Sequence, residues 1–201
     1  MARTIETTTT EEMQDTGGFL DVPGKYHFLV KVIKDGVMPN SDDLMNHPGL
    51  GLVLEVLHGP ETGKTCGLML GDPDLSHKDR GAFAKKKQQA FLIAANVIAI
   101  KHLNGSEISY DEQAAKGAQI IAEVEQQKDQ NGDLKKFLDW RYANIWHVDD
   151  PRAASVEKDH EALKSIDPKL RRKPEYFTPV LGANASKPPV ATAADFDTSS
   201  L

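Results

Sequence analysis

A chain of 201 residues is long enough to bury a self-sufficient core, and a formal net charge of -6 makes it acidic overall. The single cysteine, Cys66, excludes an internal disulfide and a CxxC-type zinc site, which fits a reducing compartment. Because phosphate contacts draw on Lys and Arg, the charge excludes a broadly basic nucleic-acid binder; any such face must be a local groove with the acids placed elsewhere.

Residues 1–18, "MARTIETTTTEEMQDTGG", have little to bury and no apolar h-region, so they predict a disordered arm rather than a secretory signal. A domain begins near Phe19. In "GKYHFLVKVIKDG", Tyr26, Phe28, Val30 and Val32 alternate with His27, Leu29, Lys31 and Ile33, the period of a strand closed by Asp35-Gly36. After a long loop, "LGLVLEVLHG" and "KTCGLML" read as two more strands joined by "GPETG". From Lys78 to Ile100, Phe83, Ala90, Phe91, Ala94, Val97 and Ile98 recur at helical spacing and predict one long helix. The longest apolar run, "AFLIAANVIAI", is about half the ~20 residues that a bilayer span needs, so the expectation is a soluble, cytoplasmic protein with no membrane partner.

Alternation returns in "GAQIIAEVEQQ", with Ala118, Ile120, Ala122 and Val124 facing one way. The turn signal Asn131-Gly132 then leads into "KKFLDWRYANIWHV". The order strand, strand, strand, helix, strand, strand is that of an OB-fold, a five-stranded, partly open Greek-key barrel with its helix between strands 3 and 4; a sandwich with one helical insertion shares that order. The OB-like domain spans 19–151. An arm over 152–201 carries a short helix from Ala153 to Ser165, then "DPKLRRKPEY" and a Pro-, Ala- and Ser-rich disordered end.

"HGPETGKT" resembles a phosphate-binding P-loop but has three residues between its glycines instead of four, and a strand rather than a helix follows it. His47, His58 and His77 with Asp72 and Asp74 lack ligand spacing, there is no G-x-S-x-G elbow, and Cys66 sits mid-strand among apolar residues as a buried, inert thiol. The sequence therefore points to no enzyme, metal or cofactor. Lys85, Lys86 and Lys87 fan out at about 100° per residue and form no single patch.

The segment after the Asn131-Gly132 turn carries the functional expectation. It holds both tryptophans, with Leu138, Trp140, Tyr142, Asn144, Trp146 and Val148 on one face of an ideal strand, and the spacing Tyr142, Ile145, Val148 predicts a bulge near Ala143 and Asn144. The tryptophans either fill the core or offer rings to bases. Basic and aromatic residues interleaved on a strand suit single-stranded nucleic acid, since bases stack at ~1–3 kcal/mol each and cations track the backbone. On this reading Lys31, Lys34, Lys64, Lys135, Lys136 and Arg141 meet phosphates, and Phe137, Trp140, Tyr142 or Trp146 stack.

From Phe19 to Pro151 the chain resembles a family of phage and prophage proteins, long catalogued as of unknown function and taken to be OB-fold single-stranded-DNA-binding proteins. The likeness lies in "GKYHFLVKVIKDG", "LGLVLEVLHGPETGK", "AFLIAANV" and the spacing of "YANIWHVDDP". Its departures are a long loop from Asp35 to Pro48, acidic at Asp42-Asp43, and a tryptophan-rich closing strand. The resemblance implies sequence-independent binding of single-stranded DNA, and partners in phage replication or recombination. In "ADFDTSSL" the residues Asp195, Phe196, Asp197 and Leu201 form a pale version of the acidic tail by which such proteins recruit enzymes. The rival expectation, favoured by the negative charge, is an OB-like module whose groove takes a protein.

Overall fold

The computed structural model describes residues 18–39, 46–71, 78–105, 107–128 and 131–178, without the side chains of 35–39, 46–48, 78–80, 136 and 137. Five strands, β1 (Gly24–Pro39), β2 (Asn46–Val56), β3 (Thr65–Gly71), β4 (Gln119–Lys128) and β5 (Leu134–His147), form one antiparallel sheet in the order β3-β2-β1-β4-β5. The one long helix among the described residues, α1 (Lys78–Ala94), lies between β3 and β4, as expected. β1 is the hub: it pairs with β2 from Phe28↔Val56 to Pro39↔Asn46 and with β4 from Gly24↔Val124 to Leu29↔Gln119. No hydrogen-bonded ladder joins β3 to β5 among the described residues. Instead Gly18–Leu20 lies parallel to the start of β3: Leu20 N–H donates to the Thr65 carbonyl (2.8 Å) and Thr65 N–H to that of Gly18 (3.0 Å).

Alternating apolar positions supply the core: Leu50, Leu52, Leu54 and Val56 from β2, Cys66, Leu68 and Leu70 from β3, Ile120, Ala122 and Val124 from β4. Burial pushes the Cys66 thiol up to about 12, so it is the inert thiol expected. The alternation read for β1 holds only to Val30. Lys31 is an extra residue in the ladder, so Val32 is exposed and Ile33 buried, the reverse of simple parity. The "GPETG" connection turns tightly through Gly59 (φ 96°) and Gly63 (φ 83°), left-handed positions that glycine adopts without a Cβ penalty.

The helix is shorter than its periodicity. Asn96 takes a left-handed φ of 59°, and Val97 N–H bonds back to the Leu92 carbonyl (2.8 Å), which ends α1 at Ala94 rather than at Ile100. Ile98 and Ile100 still reach buried positions from irregular chain, which explains why the apolar pattern runs past the helix.

The domain also extends past Pro151. Residues 151–178 are not a free arm but a strap over the outer face of β1, β4 and β5, and only His160–Lys164 of the expected helix is helical, a five-residue α2. Val156, Leu163 and Ile166 pack with Ile121, Val148 and Ala153 in a second, smaller core. Two buried histidines fasten the strap. His27 Nδ1 accepts from Asp159 N–H (3.2 Å) and its Nε2 pairs with Gln119 Oε1 (3.1 Å); Gln119 in turn donates to the Ala162 carbonyl (2.7 Å). His147 Nδ1 accepts from Asp149 N–H (3.1 Å) and Nε2 faces the Leu170 carbonyl (3.1 Å). Both rings accept at Nδ1 and are neutral; His27 keeps its proton on Nε2 toward Gln119, while Nε2 of His147 is shared between the Leu170 carbonyl and Asn96 Nδ2 (2.8 Å). No described helix is long and apolar enough to cross a membrane.

Burial lowers the pKa of both histidines from 6.5 to about 4. The unfolded chain therefore takes up protons first, so this stability is fully present above pH 6.5 and is lost as pH falls through about 4. Urea unfolding should show the midpoint dropping between pH 6.5 and 4.5, before carboxylates titrate, and the drop should shrink in a His147→Asn variant. A flat profile over that window would contradict the neutral-histidine clasps.

Candidate nucleic-acid interface

The site is built by a miscount between β4 and β5. Val124 pairs with Trp140 and Ala122 with Ile145, so the two-residue step on β4 is matched by a five-residue step on β5, and Arg141–Asn144 bulge outward. This is the bulge expected near Ala143 and Asn144. The odd step also reverses parity: Trp140 and Ile145 both face the core, while Tyr142, which shares Trp140's side of an ideal strand, is thrown to the surface. One carboxylate spans the bulge, with Glu123 Oε1 accepting from Arg141 Nη1 (3.0 Å) and Oε2 from Asn144 Nδ2 (2.8 Å). Tyr142 pays for its place with a φ of 52°, a left-handed conformation costing about 1–2 kcal/mol in a residue with a Cβ.

Beside the bulge lies a groove of about 440 Å³ between α1 and the β4–β5 hairpin, lined by Phe83, Lys87, Glu125–Lys128, Trp140 and Tyr142. Tyr142 is 63% exposed and meets Phe83, itself exposed, edge to face at 6.5 Å. Lys87 lies over the Phe83 ring (5.4 Å), and burial lowers its pKa, which Asp139 offsets upward and Lys135 pushes down. The nearby acids are already engaged: Glu125 pairs with Arg141 Nε (3.6 Å), and Asp139 accepts from Trp140 N–H (2.7 Å). Lys87, Lys128 and Lys135 have no ion-pair partner among the described residues. The result is two open rings beside unspent cations.

The expected residues fare unequally. Trp140 is fully buried, so the stacking role is corrected to a core role; its Nε1–H has no acceptor beneath the groove. Trp146 is half-buried against the second core, with Lys25 over its ring (5.5 Å), and lies outside the groove lining. Arg141 is exposed but held by Glu123 and Glu125; Lys31 is paired with Glu55 (2.8 Å), and Lys64 with Glu61 (2.5 Å) and Asp21 (3.3 Å). These three cations are neutralised by neighbours across strands or turns, which strand parity does not reveal. Lys34 is exposed on β1, away from the groove lining. Tyr142 remains at the site, and Lys135, outside the lining, is near enough to Lys87 to push its pKa down. The side chains of Lys136 and Phe137, and all of Asp195, Phe196, Asp197 and Leu201, lie outside the described residues.

Sequence reasoning missed Phe83, set Lys87 aside with Lys85 and Lys86 as forming no single patch, and missed Lys128. Phe83 and Lys87 stand four residues apart on one helix face, the only signal available for them. Among the described residues no cluster of His, Cys, Asp and Glu is arranged to hold a metal ion. No protein-family model and no curated protein matches the chain.

A Tyr142→Gly variant relieves the left-handed strain and loses only the edge contact with Phe83, worth about 0.5–1.5 kcal/mol, so its stability should stay within about 1 kcal/mol of the parent. Trp140→Ala should cost about 3–5 kcal/mol. Thermal unfolding of the pair decides whether Tyr142 is structural: equal losses would make it a core residue.

Proposed function

We propose that the protein binds single-stranded DNA without catalysing a reaction, in the replication or recombination of a phage or prophage, through the groove between α1 and the β4–β5 hairpin. The observation that carries the reading is Tyr142: an aromatic ring kept in water at a strained backbone position, with no core to fill. Its neighbours suit the same ligand, since Phe83 adds a second ring and Lys87 and Lys128 in the lining, with Lys135 close to Lys87, supply charge for a phosphodiester backbone. The strand order β3-β2-β1-β4-β5, with the helix between β3 and β4, supports an OB-like barrel, and the groove adjoins the connection between β4 and β5, one of the loops that OB-folds use for oligonucleotides. The resemblance to phage single-stranded-DNA-binding proteins points the same way.

A protein-interaction module is favoured by the net charge of -6 and by the acids that neutralise Lys31, Lys64 and Arg141. Binding of DNA at so acidic a surface is moderate and salt-sensitive.

Tryptophan emission titrated with oligo-dT should quench, because Trp140 forms part of the groove lining, and added salt should reverse it. Replacing Phe83 and Tyr142 together by Ala should weaken binding about 10- to 100-fold, from ~1–3 kcal/mol per stacked base. Absence of both quenching and gel retardation at low salt would leave the protein-interaction reading in its place.

A further inference from the structure

The strap carries the densest cationic stretch of the described chain, Lys169, Arg171, Arg172 and Lys173 within five residues, on a protein that is otherwise anionic. Only Arg171 is neutralised. Its Nε donates to both oxygens of Asp149 (3.0 and 2.8 Å), and Asp149 also accepts from Arg172 N–H (2.8 Å), so that carboxylate is spent on fixing the backbone. Asp167 likewise caps the Lys169 N–H (2.8 Å). Arg172 is held rigidly without an acid: Nη1 donates to the carbonyls of Lys169 (2.6 Å) and Arg171 (3.2 Å), and the guanidinium lies over the Tyr176 ring at 5.2 Å. Tyr176 is anchored in turn, its hydroxyl accepting from Ile100 N–H (3.2 Å) just past α1. Lys169, Arg172 and Lys173 have no ion-pair partner among the described residues.

We propose that this segment is a second phosphate-contacting surface, which takes a single strand leaving the groove past the C-terminal end of α1. The proposal rests on the single-stranded-DNA reading of the groove. With Nη1 taken by two carbonyls and Nε buried without a partner, Arg172 contributes a fixed positive charge rather than free donors, and the flanking lysines add mobile charge without reading sequence. A groove lined by two open rings holds few bases, whereas the strap lengthens the site.

The test compares a short oligo-dT of about 6 nucleotides with one of about 20, spanning the ~4–16 nucleotides typical of one OB fold. In the full chain, Lys169→Ala, Arg172→Ala and Lys173→Ala combined should leave the short oligomer bound within about 2-fold and weaken the long one at least 10-fold. The slope of log K against log salt should flatten by about 2 for the long oligomer, at ~0.7 per phosphate contact. Lys169→Glu with Lys173→Glu keeps the Arg172–Tyr176 packing and should give the same length-dependent loss if the triple variant misfolds. Unchanged affinity and slope for the long oligomer would overturn the second surface while leaving the groove standing. A parent protein that binds neither length overturns both.

Discussion

Glu123 is the constraint on which the candidate site depends. By bonding Arg141 with one oxygen and Asn144 with the other, it closes the mouth of the β5 bulge, and what lies between has nowhere to go but outward. Without that brace, four residues on an outer strand would be free to slip by one position, and a one-residue slip exchanges core and surface along a whole strand. The brace thus secures two opposite outcomes in neighbouring residues: Trp140 sealed in the core and Tyr142 standing in solvent. The charge of Arg141 is consumed in this role, which is why a residue that looks like a phosphate ligand serves as scaffold.

The same economy governs the rest of the surface. Several surface cations sit beside an acid, as in Lys31 with Glu55, Arg141 with Glu123 and Lys64 with Glu61, and such exposed pairs contribute little stability, about 0–1 kcal/mol each. They cancel charge locally. Uncancelled cations include Lys87 and Lys128 in the groove under Phe83 and Tyr142, and Lys169, Arg172 and Lys173 in the basic turn of the strap. An acidic protein with such local groups of cations can still meet a polyanion, though weakly enough to release it as salt rises.

Element order was legible because strand and helix periodicities differ, and five strands with one helix emerge from alternation alone. Parity failed wherever a ladder gains residues. Both the extra Lys31 in β1 and the longer bulge in β5 are local insertions, and nothing in Val30-Lys31-Val32 marks which residue is skipped. The bulge in β5 was visible from Tyr142, Ile145 and Val148, but its consequence, inversion of Trp140 and Tyr142, needs the count on the opposite strand. The strap was hidden for another reason: its apolar residues, Val156, Leu163 and Ile166, are sparse and carried by turns and one short helix, so no periodicity announces that they cover a sheet. The groove needs α1 and β5 to meet, a tertiary fact that places Phe83 beside a residue 59 positions away in the chain.

The central claim is that the rings of Tyr142 and Phe83, and not the tryptophans, are the surface on which bases lie. Ultraviolet crosslinking of the full-length protein to oligo-dT, followed by mass-spectrometric mapping of the adducts, reads this contact directly. The account predicts adducts on the peptides bearing Tyr142 and Phe83 and none on the Trp146 peptide portion beneath the strap. Crosslinks confined to the strap-covered face, or no crosslinks at concentrations where complexes form, would contradict it.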